Sequence, residues 1–346
     1  MRYDAVLLLS FGGPEGPADV LPFLRNVTAG RNVPDERLAE VAEQYELFGG
    51  VSPINDQNRA LLAAIRADFA DHDLDLPVYW GNRNWAPFIG DTVAEMAADG
   101  VERALVFVTS AFGSYSGCRQ YREDLARAEA AVDDAPTLEK LRLYWNHPGF
   151  LEPVADRVAE QLRTGTARRV VFTAHSIPLS MAAACDYEAQ LRAAAELVID
   201  LIGQRDDADE LDEITGWDLV WQSRSGPPQI PWLEPDVNDH LEALAAAGTD
   251  AATVCPLGFV SDHMEVEFDL DTQAAGTARR LGLDYRRAAT VGTDPRFVAM
   301  VRDLVAERLD EGPRLWLGDA GPWPDQCPDG HCAPPQRPTG RPSVKD

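Results

Sequence analysis

The chain has 346 residues, more than one hydrophobic core usually serves, and its 45% hydrophobic and 25% charged residues are those of a globular protein with a sizeable interior. Its 31 Lys and Arg stand against 57 Asp and Glu, a formal charge of -26 that repels nucleic acid and anionic membranes and argues against a general binder of either. No stretch reaches the ~18 consecutive apolar residues of a membrane-spanning helix, and five scattered cysteines do not make a disulfide framework, so a cytoplasmic protein in a reducing compartment is expected.

In chain order, the opening segment has an acid at Asp4 and a short apolar run, and it reads as a first strand rather than a secretion signal. Short β-branched or Leu-rich runs predict strands at 5–9, 78–80, 104–108, 141–144, 170–173, 219–221 and 253–255. Apolar residues at three- and four-residue intervals predict helices at 59–69, 91–98, 121–131, 150–162, 189–202 and 237–247. Strand alternating with helix implies parallel sheets flanked by helices, and the uneven spacing of functional-looking loops favours two open sheets over one closed barrel. The expected division is residues 1–120, 121–311 and a Pro-rich tail 312–346 whose last ten residues are disordered, with a helix over 295–309 able to pack back on the first domain.

Four predicted strands end in loops of small residues: Ser10-Phe-Gly-Gly, Thr109-Ser-Ala-Phe-Gly, Thr173-Ala-His-Ser and Pro256-Leu-Gly-Phe. Open α/β sheets bind ligands at the carboxyl ends of their strands, so these loops should converge on one cleft. His175 lies at such a strand end, where a neutral imidazole can ligate a metal or accept a proton. Ser261 to Asp271 carries one His and five carboxylates in eleven residues. On a helix, Glu265 and Asp269 share one face, Glu267 and Asp271 another. A solvated acidic face is the plain alternative, but these acids follow directly on a buried strand. His175, Glu265 and Asp269 are therefore the expected metal-facing set, a mixture of imidazole and carboxylate suited to iron.

The loop Gln222-Ser-Arg-Ser-Gly-Pro-Pro-Gln229 follows a strand and could cradle a phosphate, yet it matches neither glycine-rich nucleotide pattern. Arg25, Arg31, Arg83 and Arg119 lie in or near loops of the first half and could bind ligand carboxylates, as guanidinium does in bidentate fashion; for each alone an ordinary surface arginine is the plain alternative. Cys327-Pro-Asp-Gly-His-Cys332 gathers two thiols and an imidazole, with Cys118 and Cys185 elsewhere able to join a zinc or iron-sulfur site.

In combination these residues resemble the ferrochelatase family, from Leu7 to about Leu309, and are closest to its actinobacterial coproporphyrin III branch. The resemblance rests on Phe11-Gly-Gly-Pro-Glu15, Gly49-Gly-Val-Ser-Pro-Ile54, Gly81-Asn-Arg-Asn-Trp-Ala-Pro87, Thr173-Ala-His-Ser-Ile-Pro178, Trp221-Gln-Ser-Arg-Ser-Gly-Pro-Pro228 and Gly258-Phe-Val-Ser-Asp-His-Met-Glu265. It implies two Rossmann-like domains of chelatase type with a porphyrin cleft between them. The implied reaction is insertion of Fe2+ into coproporphyrin III in haem b synthesis, a lyase chemistry, performed by a monomer without nucleic-acid or integral membrane partners. His175 and Glu265 match the catalytic positions, and the imidazole and the acid are expected to meet across a gap the size of a tetrapyrrole. Ser52, Tyr121, Tyr45, Gln44, Arg31, Arg83 and Phe11 match substrate-binding positions. Phe11 stands where a related branch has an axially approaching tyrosine, and a phenyl ring cannot ligate iron. The tail resembles a [2Fe-2S]-binding extension with Cys118, Cys327 and Cys332 as ligands, and His331 or Asp325 would complete the set. A protoporphyrin IX or other metal chelatase, and a non-catalytic tetrapyrrole carrier, are the rival readings.

Overall fold

The computed structural model describes residues 3–30, 33–328 and 330–334. The first half runs β1 (Ala5–Ser10), α1 (Val20–Val27), α2 (Asp35–Glu46), α3 (Ile54–Asp71), β2 (Val78–Asn82), α4 (Ile89–Ala98), β3 (Arg103–Val108), α5 (Gln120–Ala131) and β4 (Thr137–Lys140). The second runs α6 (Pro148–Gln161), β5 (Arg168–His175), α7 (Leu179–Ala182), α8 (Tyr187–Gly203), β6 (Ile214–Gln222), α9 (Val237–Ala246) and β7 (Ala251–Cys255). It continues through α10 (Met264–Val266), α11 (Ala275–Leu281), β8 (Asp284–Arg287) and α12 (Pro295–Leu309).

The strands form two four-stranded parallel sheets of identical order, β2-β1-β3-β4 and β6-β5-β7-β8. β1 and β7 are buried at every residue, as parallel strands covered on both faces must be. In each sheet the strand order reverses beside its second strand, which places a crevice at the carboxyl ends of β1 and β3 and another at those of β5 and β7.

Two differences from the sequence reading concern outer strands. Residues 141–144 are buried but lie just past β4. Leu141 N still reaches Val106 O at 2.9 Å, after which Tyr144 turns inward and donates to Val108 O at 3.0 Å. β4 itself reads Thr-Leu-Glu-Lys and β8 reads Asp-Tyr-Arg-Arg; both are sheet edges whose polar residues hide them from a search for apolar runs. β4 pairs with β3 although it lies beyond residue 120, so the first sheet extends to Lys140. The helices α1 and α2, between β1 and α3, are additional to the predicted set.

A single core joins the halves. The rings of Phe107 and Tyr144 stack at 5.1 Å, and Phe297 of α12 lies 6.1 Å from each. Buried beside them, Arg142 Nε and Nη2 donate to the two carboxylate oxygens of Glu307 at 2.7 Å each, and Nη2 also reaches Leu315 O at 2.8 Å. The pair thus ties the chain after β4 to α12 and to the start of the tail. No helix among the described residues is long and apolar enough to cross a membrane. The last ten residues, expected to be disordered, lie outside the described residues.

Arg142→Met strands the Glu307 carboxylate in the interior and is expected to cost about 3–5 kcal/mol, measured by urea unfolding. The double change Arg142→Met/Glu307→Leu should recover most of that loss.

Candidate active site

Gly258 brings the site together. A Cβ on it would meet Ala174 Cβ at 2.6 Å and Ala174 Cα at 2.8 Å, closer than side chains approach. Its absence lets the segment after β7 lie on the end of β5, with Gly258 N donating to Thr173 O at 3.0 Å. The first half holds the same segment from its other side: Asp262 N donates to Gln57 Oε1 at 2.9 Å and Met264 N to Ser52 Oγ at 3.4 Å. Ser52, itself buried, is anchored through its amide to Pro14 O at 2.8 Å.

His175 ends β5. Its Nδ1 lies 2.5 Å from Ser176 O, and because a carbonyl only accepts, Nδ1 carries a proton, which in the neutral imidazole puts the lone pair on Nε2. Nε2 is 3.9 Å from Glu265 Oε2. Glu265 is 44% accessible at the cleft surface, yet protein surrounds it on the remaining sides, and lost hydration pushes its pKa up to about 7. Burial likewise pushes Asp269 up to about 6; hydrogen bonds from Ser223 Oγ and Gln222 Nε2 oppose the rise, and the Glu265 charge adds to it. His263, half-buried with its ring 5.2 Å from Phe259, is pushed down to about 3, by lost hydration first and by positive charge on His175 second.

The structure divides the acidic run. Arg287 binds Asp262 at 3.1 Å and Asp271 at 2.7 Å, whereas Glu265 and Asp269 are left with His175. Between them the helix opens into a π-helical stretch over Glu267–Ala274, a local widening often found at functional sites. Among the described residues no three His, Cys, Asp or Glu converge into a ready-made single-ion site, so iron here needs donors from its partner molecule as well.

One wall is apolar. Phe23 packs edge-on against Phe11, Tyr45 and Trp85 at 6.1 to 6.3 Å, and the cluster includes Met264, next to Glu265. Phe11, Leu21, Leu47 and Val51 are exposed. Burial and the Glu265 charge raise the Tyr45 phenol well above its usual range, so it stays protonated; Gln44, its neighbour on α2, is half-buried. A groove of about 710 Å³ bordered by Arg66, Leu74, Val78 and Glu95 lies at the opposite, amino end of β2 and holds none of these groups.

Several expected residues lie elsewhere. Nε2 and Oε2 are too close for a ring between them, which needs about 7 Å at ordinary contact distances, so His175 and Glu265 stand side by side on one wall. Arg83 is only 7% exposed, ion-paired with Asp124, and its guanidinium lies 4.4 Å above the Tyr121 ring. Tyr121 is buried behind it against β1 and β3. Arg31 lies outside the described residues. The loop after β6 is no phosphate cradle: Ser223 and Gln222 hold Asp269, and Arg224 is turned onto the carbonyls of Pro227, Pro228 and Ile230. The sequence signal for those two Asp269 partners is the Trp221 to Pro228 motif at the end of β6, though it does not single them out; Gln57 has only its place in the helix after the Gly49 to Ile54 loop.

The tail is docked. Leu317 N donates to Asn146 O at 2.8 Å, and Asn146 Nδ2 to Gly321 O at 2.8 Å. The Cys118 thiol, buried in a π-helical turn at Tyr115–Arg119, is hydrogen-bonded to that of Cys327, and Trp323 Nε1 lies 3.4 Å from Cys327 Sγ. Asp325 is ion-paired with Arg314.

Solved structures share this architecture. SirB from Bacillus subtilis with Fe3+ superimposes with a TM-score of 0.56 at 12% identity, covering 90% of this chain and 98% of that one. The sirohydrochlorin chelatase SirB from Bacillus subtilis subspecies spizizenii in complex with cobalt gives 0.51 at 11%, covering 89% and 96%. The fold is that of the chelatases. A profile described as Ferrochelatase matches residues 3–309. Coproporphyrin III ferrochelatase of Frankia alni is 57% identical over 96% of this chain and 87% of its own length. That of Streptomyces coelicolor is 54% identical over 95% and 93%, and the ferrochelatase of Rhodopirellula baltica 52% identical over 98% and 97%. The chain belongs to the ferrochelatase family; it is a metal chelatase, and ferrous iron is its substrate.

Gly258→Ala should displace the whole segment from Gly258 to Glu265. We expect a loss of about 1–3 kcal/mol in thermal or urea unfolding and a fall in iron insertion of up to roughly 100-fold, since misplacement by 1 Å has that effect.

Proposed function

We propose that this protein inserts ferrous iron into coproporphyrin III, releasing the two pyrrole protons, in the synthesis of haem b. The observation that carries the reading is His175 Nε2, 3.9 Å from Glu265 beside an apolar wall. The agreement of relatives named for coproporphyrin III, over nearly the whole chain, supports that porphyrin over others.

The macrocycle lies against Phe11 and the aromatic cluster behind it, near Tyr45, Gln44 and Ser52. His175 accepts a pyrrole proton at Nε2, its ring held in place from the other side by Ser176 O. Glu265 and Asp269, whose proton affinities lie near neutrality, take protons onward or meet the incoming metal. Fe2+ takes the place of the two protons at the ring nitrogens. Ser52 acts through the backbone of Met264, and Tyr121 and Arg83 support the wall from behind. Arg31 is assigned to the substrate carboxylates. The cleft lies between two domains, the first ending with β4 and the second beginning with α6, and the chain acts as a monomer in the cytoplasm.

In the same reading Cys118, Cys327, Cys332 and a fourth donor would hold a [2Fe-2S] cluster between the body and the tail from Gly312. Soft thiolates suit such a cluster, and the interacting thiols of Cys118 and Cys327 are two of the residues that would hold it. Bound, it would add a covalent link between tail and body.

Anaerobic absorbance with Fe2+ tests the function: coproporphyrin III should be metallated in preference to protoporphyrin IX. Preference for protoporphyrin would overturn the substrate, and porphyrin that binds but is never metallated would make the protein a carrier. His175→Ala should lower turnover by roughly 10²–10⁴ while porphyrin binding stays within a few-fold.

Because the Glu265 pKa is raised from 4.5 to about 7, the side chain is mostly neutral at pH 6 and mostly ionised at pH 8. Turnover should therefore rise with pH through about 7, and Glu265→Gln should remove that limb of the profile.

A further inference from the structure

The geometry points to Cys185 as the fourth ligand of the tail cluster, with Cys118 and Cys327 on one iron and Cys185 and Cys332 on the other. This rests on the cluster reading above and replaces the expected fourth donor, His331 or Asp325.

Cys185 lies between α7 and α8, where the sequence offers no motif around it. Its thiol is hydrogen-bonded to that of Cys332. Backbone fixes the approach: Cys332 N donates to Ala184 O at 2.8 Å, the residue just before Cys185. Cys332 is buried. Cys332 also lies within the electrostatic reach of Cys118 and Cys327, so the two thiol pairs are neighbours. The fifth cysteine, Cys255, is buried inside β7.

The alternative donors are committed elsewhere. His331 Nε2 lies 3.1 Å from Asp186 Oδ2, and its Nδ1 lies 3.0 Å from Cys332 Sγ, which makes it a partner of a ligand rather than a ligand. Asp325 is held by Arg314. A single zinc would need three or four donors on one point, and among the described residues no such group exists. Two pairs are instead what a two-iron cluster asks for, each iron taking two thiolates and two bridging sulfides. Assembly from two Fe3+ and two sulfides releases the four thiol protons and changes the oxidation state of neither metal nor thiol.

Each pair joins one body cysteine to one tail cysteine, so the loaded cluster clamps the tail at two points. The test uses the full chain, purified anaerobically and reconstituted with iron and sulfide, in wild-type, Cys185→Ser, His331→Ala and Cys255→Ser forms. Expected are two irons and two sulfides per chain and a reduced-state EPR signal from wild type, His331→Ala and Cys255→Ser. Cys185→Ser should lose the cluster or shift its g-values, and its tail should become several-fold more sensitive to protease. Circular dichroism shows whether each variant is folded, and Cys332→Ser serves as a second variant that should match Cys185→Ser. A wild-type signal in folded Cys185→Ser, or its loss in His331→Ala, would overturn the assignment while leaving the cluster. Wild-type protein that takes up no iron and sulfide, its thiols instead joined as disulfides by mass, would overturn the cluster itself.

Discussion

The site depends on how closely one loop approaches one strand. Gly258 rests on Ala174 with no room for a side chain, and Ser52 and Gln57 then fix the loop's orientation from the other half of the molecule. With those three points set, the helix begins at Met264, Glu265 falls in its first turn and Asp269 follows through the π-helical stretch. A helix start favours an ionised carboxylate by about 0.3–1 kcal/mol, less than one pK unit. Lost hydration, which pushes Glu265 from 4.5 up to about 7, is the larger effect. The fold thus makes an acid that can exchange protons near neutrality out of a residue that is charged in water.

Much of this was legible in the chain itself. The central strands are continuous apolar runs because both their faces are covered, and the carboxyl-end rule placed His175 and Glu265 in one crevice before any coordinates. What stayed hidden depends on partners distant in sequence. Arg83 looks like a carboxylate clamp until Asp124, 41 residues away, is seen to hold it. Asp262 and Asp271 look like members of one acidic site until Arg287 claims both. Five acids within eleven residues do not say which of them an arginine will neutralise; the placement of Arg287 on β8 decides it.

The separation of His175 from Glu265 carries its own lesson. Their proximity was expected, but across a substrate rather than beside one another. Side by side, both groups lie on one wall rather than on facing ones. The tail shows the same limit of one-dimensional reading: Cys327 and Cys332 advertise themselves by spacing, whereas Cys185 becomes a neighbour only through the hydrogen bond from Cys332 N to Ala184 O.

The polar edge strands have a consequence beyond hiding from pattern analysis. An uncovered parallel edge offers a row of amides and carbonyls to any other chain. On β4, Glu139 is engaged by Tyr3, Arg103 and Arg308, and on β8, Asp284 and Arg287 are held in ion pairs. A second copy docking there would have to strip several charged groups of water and counter-charge at once. These strands therefore act as guards against stacking into ordered aggregates, a protection that such tightly buried, Val- and Leu-rich neighbours require whenever the chain is crowded or newly made.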